Sequence, residues 1–422
     1  MARAAADLPA EEPLTRARRL HHTALAAYWF GLYALFTPVG ANLAPSQISD
    51  LVTHDRQPMA QGLLLAAGAV FAVTVPPLVG AWSDRLTTPW GRRRPIMVAG
   101  TVGTVVSLGV MATARSYPQL LLGYVLVQFC SNAGAAAYSA LIPDVVPAHE
   151  VGNASGMLSV MLLLGSAAGL GANVLLSTKA TYSVIGLLLV VSMVPALWAA
   201  AGEGINAPSP PRIAARWGRR IKDFLGPMLR GDFGWVVLTR LMVTAGISAV
   251  SPFTQYFFRD VAHVAHPEKF NAVWLLLVLA LAMPGGLLGG RLSDRQGRKR
   301  FVYASGGIQA AVAIAFIALY PSALALVLIM GGVYGIGYGL YTAVDWALAV
   351  DTLPDRGAGA KDMGLFHVAL SLPGSIVPAI AGYVLGAVNG PSGTGGYRVV
   401  FGSAAVFFVL GTVFVSRIRS VR

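Results

Sequence analysis

Three ionisable side chains stand inside stretches that are otherwise apolar: Arg240, Asp345 and His367. Holding a charge away from water is costly, so residues of this kind default to functional candidates. Asp345 lies about six residues, or ~9 Å of helix, from the end of its apolar stretch. It could carry a coupling proton if burial favours its neutral form. It could be held charged in an ion pair with Arg240, which lies at a similar depth, or it could contact a substrate directly. His367, whose imidazole titrates intrinsically near pH ~6.5, is a further proton candidate, with hydrogen-bonded packing as its alternative.

A second group of chemically capable residues occurs twice. Gly80…Ser83-Asp84-Arg85 returns as Gly290…Ser293-Asp294-Arg295, an offset of 210. Gly91-Arg92-Arg93-Arg94 returns as Gly297-Arg298-Lys299-Arg300 at 206, and Ala140-Leu141…Asp144…Pro147 as Ala347-Leu348…Asp351…Pro354 at 207. Three ordered matches at consistent offsets divide the chain into two related halves. Small Gly80 and Gly290 suit close packing between helices. Asp84 and Asp294 can accept from helix N-termini or pair with the clustered arginines. Together Gly80, Asp84, Arg85, Gly91, Arg92, Arg93 and Asp144, with Gly290, Asp294, Arg295, Gly297, Arg298 and Asp351, read as a duplicated gate whose charge-assisted contacts make and break. A purely topogenic role would account for the arginines but not for the repeated glycines and aspartates.

The elements that must position these residues follow from composition. Of the residues, 55% are hydrophobic and only 12% charged, against ~25% charge in a soluble domain. Mean hydropathy is +0.65. A bilayer core takes about 20 residues of helix to cross. Twelve apolar stretches of about that length lie near 24–45, 60–82, 95–115, 118–142, 153–176, 182–201, 233–257, 271–290, 301–320, 322–350, 363–388 and 397–416. The net charge of +13 is explained by loop arginines, not by nucleic acid, since no basic run is interleaved with aromatics. Of the 31 basic residues, 24 fall on one side of this arrangement and six on the other, with Arg240 inside a span. That split assigns both termini to the cytoplasm. Residues 1–23 read as a cytoplasmic tail and not a signal peptide. Residues 24–201 and 233–416 read as six-helix bundles, 202–232 as a basic cytoplasmic linker and 417–422 as a short cytoplasmic tail. Cys130, the sole cysteine, cannot form an internal disulfide.

Two halves with an even number of spans insert with the same topology, so an axis along the membrane normal relates them. The loop from Gly80 to Arg94 resembles the signature loop of the major facilitator superfamily. The serine before Asp84 and the ending Gly91-Arg92-Arg93-Arg94-Pro95 resemble a narrower group, the sucrose transporters and glycoside–cation symporters with their bacterial relatives. The superfamily resemblance covers essentially the whole chain and implies an all-α polytopic membrane protein. Its twelve transmembrane helices form two six-helix, pseudo-symmetric bundles, with a substrate site between them and alternating access by rocking. It also implies that spans one, four, seven and ten line the cavity, so that Arg240 and Asp345 could face each other. Where sucrose transporters carry a coupling aspartate and an arginine on span four, this chain has Gln128 and Ser139. Neither can hold a proton or a charge, so coupling would pass to Asp345.

Uncharged cavity candidates are Tyr33 and Asn42 on span one and Gln128, Asn132 and Tyr138 on span four. The second half adds Gln255 and Tyr256 on span seven and Tyr338, Tyr341 and Trp346 on span ten. Amides and aromatic faces suit a neutral polyol, because hydroxyls need paired donors and acceptors and C–H faces stack on rings. Each aromatic could equally serve packing or lipid contact. No nucleophile–base set, metal-ligand cluster or phosphate-cradling glycine loop is present, so enzyme, metal and ATP-driven readings fall away. The expectation is a non-enzymatic secondary transporter without a cofactor, coupled to H+ or another cation. Its cargo is a small molecule, first a disaccharide or glycoside taken up by symport. The alternative is a drug or metabolite exported by proton antiport. It is expected to act as a monomer in a bacterial cytoplasmic (inner) membrane.

Overall fold

The computed structural model describes residues 16–83, 85–86, 88–146, 151–201, 231–319, 324–352, 359–389 and 394–420. Asp84, the tail through residue 15 and most of the stretch between the halves lie outside the described residues. So do the side chains of Asp144, Asp294, Trp346 and His367.

Among the described residues, twelve helices are long and apolar enough to cross a bilayer. They are α1 (Leu20–Leu51), α2 (His54–Ser83), α3 (Arg94–Ala112), α4 (Tyr117–Val145), α5 (Val151–Leu175) and α6 (Thr178–Ala199). The second set is α7 (Gly231–Asp260), α8 (Pro267–Gln296), α9 (Arg298–Leu319), α10 (Leu324–Asp351), α11 (Gly359–Asn389) and α12 (Gly395–Val415). Val102 and Val106 on α3, Val191, Val194 and Trp198 on α6, and Val406, Val409 and Val413 on α12 are exposed. Apolar surface on this scale suits lipid, not water.

The two halves repeat one another in their packing. In the first, α1 lies against α5 and α6, α2 against α4, and α3 against α4 and α6. In the second, α7 lies against α11 and α12, α8 against α10, and α9 against α10 and α12. Glycines set the closest approaches. A Cβ at Gly165 or Gly169 of α5 would strike the Phe30 and Ala34 carbonyls of α1, and one at Gly335 or Gly339 of α10 would strike those of Val278 and Ala282 on α8. Each pair is a small-xxx-small stripe, which lets two backbones meet without side chains between them.

Across the midline α2 packs on α11 and α5 on α8. At the first crossing Gly62 faces the Pro378 carbonyl, where an added Cβ would sit 2.7 Å away. The first helix of each half is also broken. In α1 a π-helical turn, Val39–Leu43, follows Pro38; in α7 a 3-10 turn, Ser251–Phe253, contains Pro252. Proline removes an intrahelical donor, so both helices loosen there and re-aim their last turns. Both consequently run farther than hydropathy indicates, to Leu51 and Asp260.

Candidate functional site

Arg240 and Asp345 meet between α7 and α10. Arg240 donates from Nη1 to Asp345 Oδ2 at 2.5 Å, and Tyr341 Oη lies 3.0 Å from Oδ1. Tyr341 stands one turn before Asp345, so the same helix face supplies both the carboxylate and its hydroxyl partner. Both charges are buried, at 8% and 4% exposure. A buried pair of this kind holds together because removing either partner strands the other charge.

The pair forms part of the wall of a 330 Å³ chamber that also includes Thr244, Ser248, Tyr338, Tyr341 and Thr342. A second chamber of 170 Å³ adjoins it, sharing Ile247 and Tyr338. This one is mostly apolar, walled by residues of α7, α8, α9, α10 and α12, with Thr37 and Leu170 from the first half. Tyr33 is half-buried on α1, packed on Trp29 and Phe36 at centroid distances of 5.2 and 6.0 Å.

At the face opposite the basic loops the two halves are tied together. Asn42, in the π turn, bonds Asn173 of α5, donates to the Glu268 carbonyl at 3.0 Å and accepts from Asn271 of α8 at 2.8 Å. Asn271 also donates to the Ala41 carbonyl at 3.0 Å and is bonded to Thr254 at 2.7 Å. Farther out, Arg259 donates to Gln57 Oε1 at 2.5 Å and to Ser49 Oγ at 3.3 Å. His54 contacts Asp260 at 3.1 Å, and Asp260 also binds Arg259 and Tyr397, both at 2.6 Å. The Arg259 guanidinium lies 5.2 Å from the centre of the Tyr256 ring, whose hydroxyl donates to the Pro45 carbonyl. These contacts tie the two halves together at this face as a latch.

Placement therefore separates the candidates. Tyr338, Tyr341, Arg240 and Asp345 wall the cavity together. Asn42 and Tyr256 belong to the latch. Gln128 donates to Tyr124 Oη at 2.9 Å and accepts from Asn132 at 3.0 Å, a ladder on α4 against Gly68 of α2. Tyr138 lies away from that cavity: it is fully buried within the first half, stacked on Trp29 and donating to the Leu25 carbonyl at 2.9 Å. Its hydroxyl is consumed by packing, as an aromatic in an apolar stretch allows. Gln255 is buried, at 3% exposure.

In the repeated loops, Gly91 and Gly297 both adopt positive φ, 95° and 93°, a region that only glycine enters without strain. Ser83 Oγ donates to the Gly80 carbonyl and Ser293 Oγ to that of Gly290, at 2.9 and 2.8 Å. Arg93 bonds Ser83, and Arg298 reaches Asp351 of α10 at 2.9 Å. Arg92 is half-buried, whereas Arg85 and Arg295 are exposed. The close packing expected at Gly80 and Gly290 is absent: a Cβ at either position meets open space among the described residues.

The latch residues Gln57, Arg259, Asp260 and Asn271 and the cavity residues Trp274, Gln309 and Tyr334 are not singled out by the sequence reading. Asn173, Asn271 and Gln309 carry the same signal as Gln128, an amide in an apolar stretch. Arg259 and Asp260 pass for ordinary loop charges, because nothing local links them to His54 and Gln57 some 200 residues away.

A family model described as Major Facilitator Superfamily matches residues 24–378. The tetracycline resistance protein, class E, of Escherichia coli is 34% identical over 108 residues, 26% of this chain and 25% of that protein. Sucrose transport protein SUT1 of Oryza sativa subsp. japonica is 28% identical over 124 residues, 24% of this chain and 23% of that protein. The chain thus spans about a quarter of the length of these curated relatives. The solved nucleoside transporter NupG (D323A mutant) superposes with a TM-score of 0.70 at 13% identity, covering 95% of this chain and 100% of that one.

Proposed function

The chain belongs to the major facilitator superfamily, and from that membership we propose that it carries a small organic solute across a bacterial cytoplasmic membrane by alternating access, coupled to protons through Asp345. The observation that carries this reading is the Arg240–Asp345 pair, buried in the wall of a cavity. A proton delivered to Asp345 neutralises it and releases Arg240, so protonation and cargo act on one hydrogen-bonded group. Differential binding of proton and cargo to two states is all that coupled transport requires. The duplicated loops at Gly80–Arg94 and Gly290–Arg300 serve as the cytoplasmic gate. Both termini lie in the cytoplasm, and one chain is the working unit.

For the cargo, the mostly apolar wall of the 170 Å³ chamber favours export of a partly apolar solute by proton antiport. The partial match to a tetracycline resistance protein supports the same direction. Uptake of a sugar by symport is supported by the Gln128–Asn132 amide ladder and by the partial match to a sucrose transport protein. Reconstitution into proteoliposomes with an imposed pH gradient separates the two. Extrusion of lipophilic dyes against the gradient supports antiport, and accumulation of labelled sucrose with it supports symport. Flux of every solute that is indifferent to the gradient and to Asp345→Asn defeats the coupled-transport reading.

A further inference from the structure

The apolar chamber has the dimensions and lining of a site for one ring. Its 170 Å³ slightly exceeds the ~150 Å³ known to hold benzene in an apolar protein cavity. One wall is a column of aromatic rings. Trp274 and Tyr334 stack at 6.2 Å and 23°, and Tyr334 and Tyr338 at 6.4 Å and 8°. Phe316 of α9 and Phe401 of α12 contribute further rings to the lining. A flat ring gains more from such walls than a polyol does, because offset stacking adds to apolar burial.

Beside the hydroxyls of Thr37, Ser251 and Thr254, one amide stands in this lining. Gln309 of α9 is fully buried, and its Nε2 donates to the Ser305 carbonyl at 3.4 Å. Its Oε1 has no hydrogen-bond partner among the described residues. A buried acceptor without a donor is destabilising, and a ligand that brings the donor relieves it. Next door, the 330 Å³ chamber offers the hydroxyls of Thr244, Ser248 and Thr342 around a charge pair that sums to zero. A net charge placed there would compete for one member of that pair.

We propose that the apolar chamber is a subsite for a single aromatic ring bearing a hydrogen-bond donor, on an uncharged solute whose polar remainder occupies the adjoining chamber. Gln309 Oε1 receives the donor, and Tyr334 and Tyr338 flank the ring. This deepens, and rests on, the reading of the chain as a carrier of small organic solutes.

The test uses the full chain in lipid nanodiscs and two radiolabelled probes, 4-(2-hydroxyethyl)phenol and 2-phenylethanol, which differ only in the ring hydroxyl. The phenol is expected to bind about five- to tenfold more tightly, the worth of one buried hydrogen bond. Gln309→Leu should abolish that difference while leaving 2-phenylethanol binding within about twofold. Ala313→Phe, which fills the chamber from α9, should weaken both probes at least about tenfold, with Ala313→Leu in reserve if melting shows misfolding. Equal binding of the two probes, or phenol binding indifferent to both substitutions, overturns the subsite. In proteoliposomes, proton-driven flux of sucrose untouched by Ala313→Phe also overturns it while leaving the carrier reading intact. Gln309-dependent binding with no flux of any solute supports the subsite and defeats the carrier reading instead.

Discussion

Arg259 and Gln57 lie 202 residues apart in the chain, on opposite halves, yet the guanidinium Nη1 and the amide Oε1 approach to 2.5 Å. The same Nη1 reaches Ser49, and Nε binds Asp260, which holds His54 in turn. One side chain thereby joins the ends of α1, α2 and α7 and ties the two bundles together at one face. The proposed rocking of the halves would have to break this group, because it spans the seam between them.

Arg259→Ala should therefore shift the population toward the state open at the latched face. Losing a charge-assisted hydrogen bond removes about 1.5–3 kcal/mol, or roughly a tenfold to hundredfold change in the equilibrium. Electron-spin distance measurements between labels at Asp55 and His266, on opposite halves, should show a longer-distance population growing in the variant. An unchanged distribution would contradict the latch.

Asp345→Asn should cost about 3–5 kcal/mol, since it breaks a buried ion pair by removing the charge of one member. The double variant Arg240→Met, Asp345→Leu should recover most of that stability, because well-packed apolar residues often replace a buried pair at little cost. It should still lack proton-driven flux. Melting temperature and gradient-driven transport, measured on the same three preparations, separate the structural from the coupling role. Coupled flux in the double variant would remove Asp345 from the mechanism.

The repeated loops offer a contrast between two kinds of glycine. Gly297 stands at φ 93° and ψ 138°, so Gly297→Ala should destabilise by about 1–3 kcal/mol through backbone strain. Gly80 meets open space, so Gly80→Ala should leave the melting temperature of this conformation nearly unchanged. If close packing forms at Gly80 when the gate shuts, that same substitution should slow transport. Equal losses of stability in the two variants would contradict the contrast.

At the α2–α11 crossing, Gly62→Leu has no room, because backbone atoms of Pro378 and Ala379 lie within 3.3 Å of the added Cβ. Backbone cannot rotate away as a flexible side chain can. The two halves should separate along this seam, with slower flux and reduced thermal stability, while Gly109→Leu, which faces open space, should do neither. Flux assays on both variants give the comparison.

The fold was legible in the sequence because its causes are local or repetitive. Twenty-residue apolar stretches, arginines gathered on one side and a duplicated Gly…Asp-Arg loop need no knowledge of distant contacts. The broken ends of α1 and α7 were less legible: Pro38 and Pro252 mark them, but hydropathy does not say that the helix resumes beyond. Of the site, Asp345, Arg240, Tyr338 and Tyr341 could be picked out because polar groups in apolar stretches are rare. Tyr138 satisfied the same criterion and lies buried inside the first half, since composition does not reveal which way a helix face points.

The amino-acid sequence by itself determined twelve crossings, two related halves and the short set of buried charges, all consequences of how each segment partitions between lipid and water. Only the tertiary structure decided which of those groups meet. It brought Arg240 to Asp345, drew Arg259 across to Gln57 and put Gln309 into an apolar wall. The reason is that helix rotation and the crossing of two bundles are set by side-chain packing between segments, and no single segment encodes that.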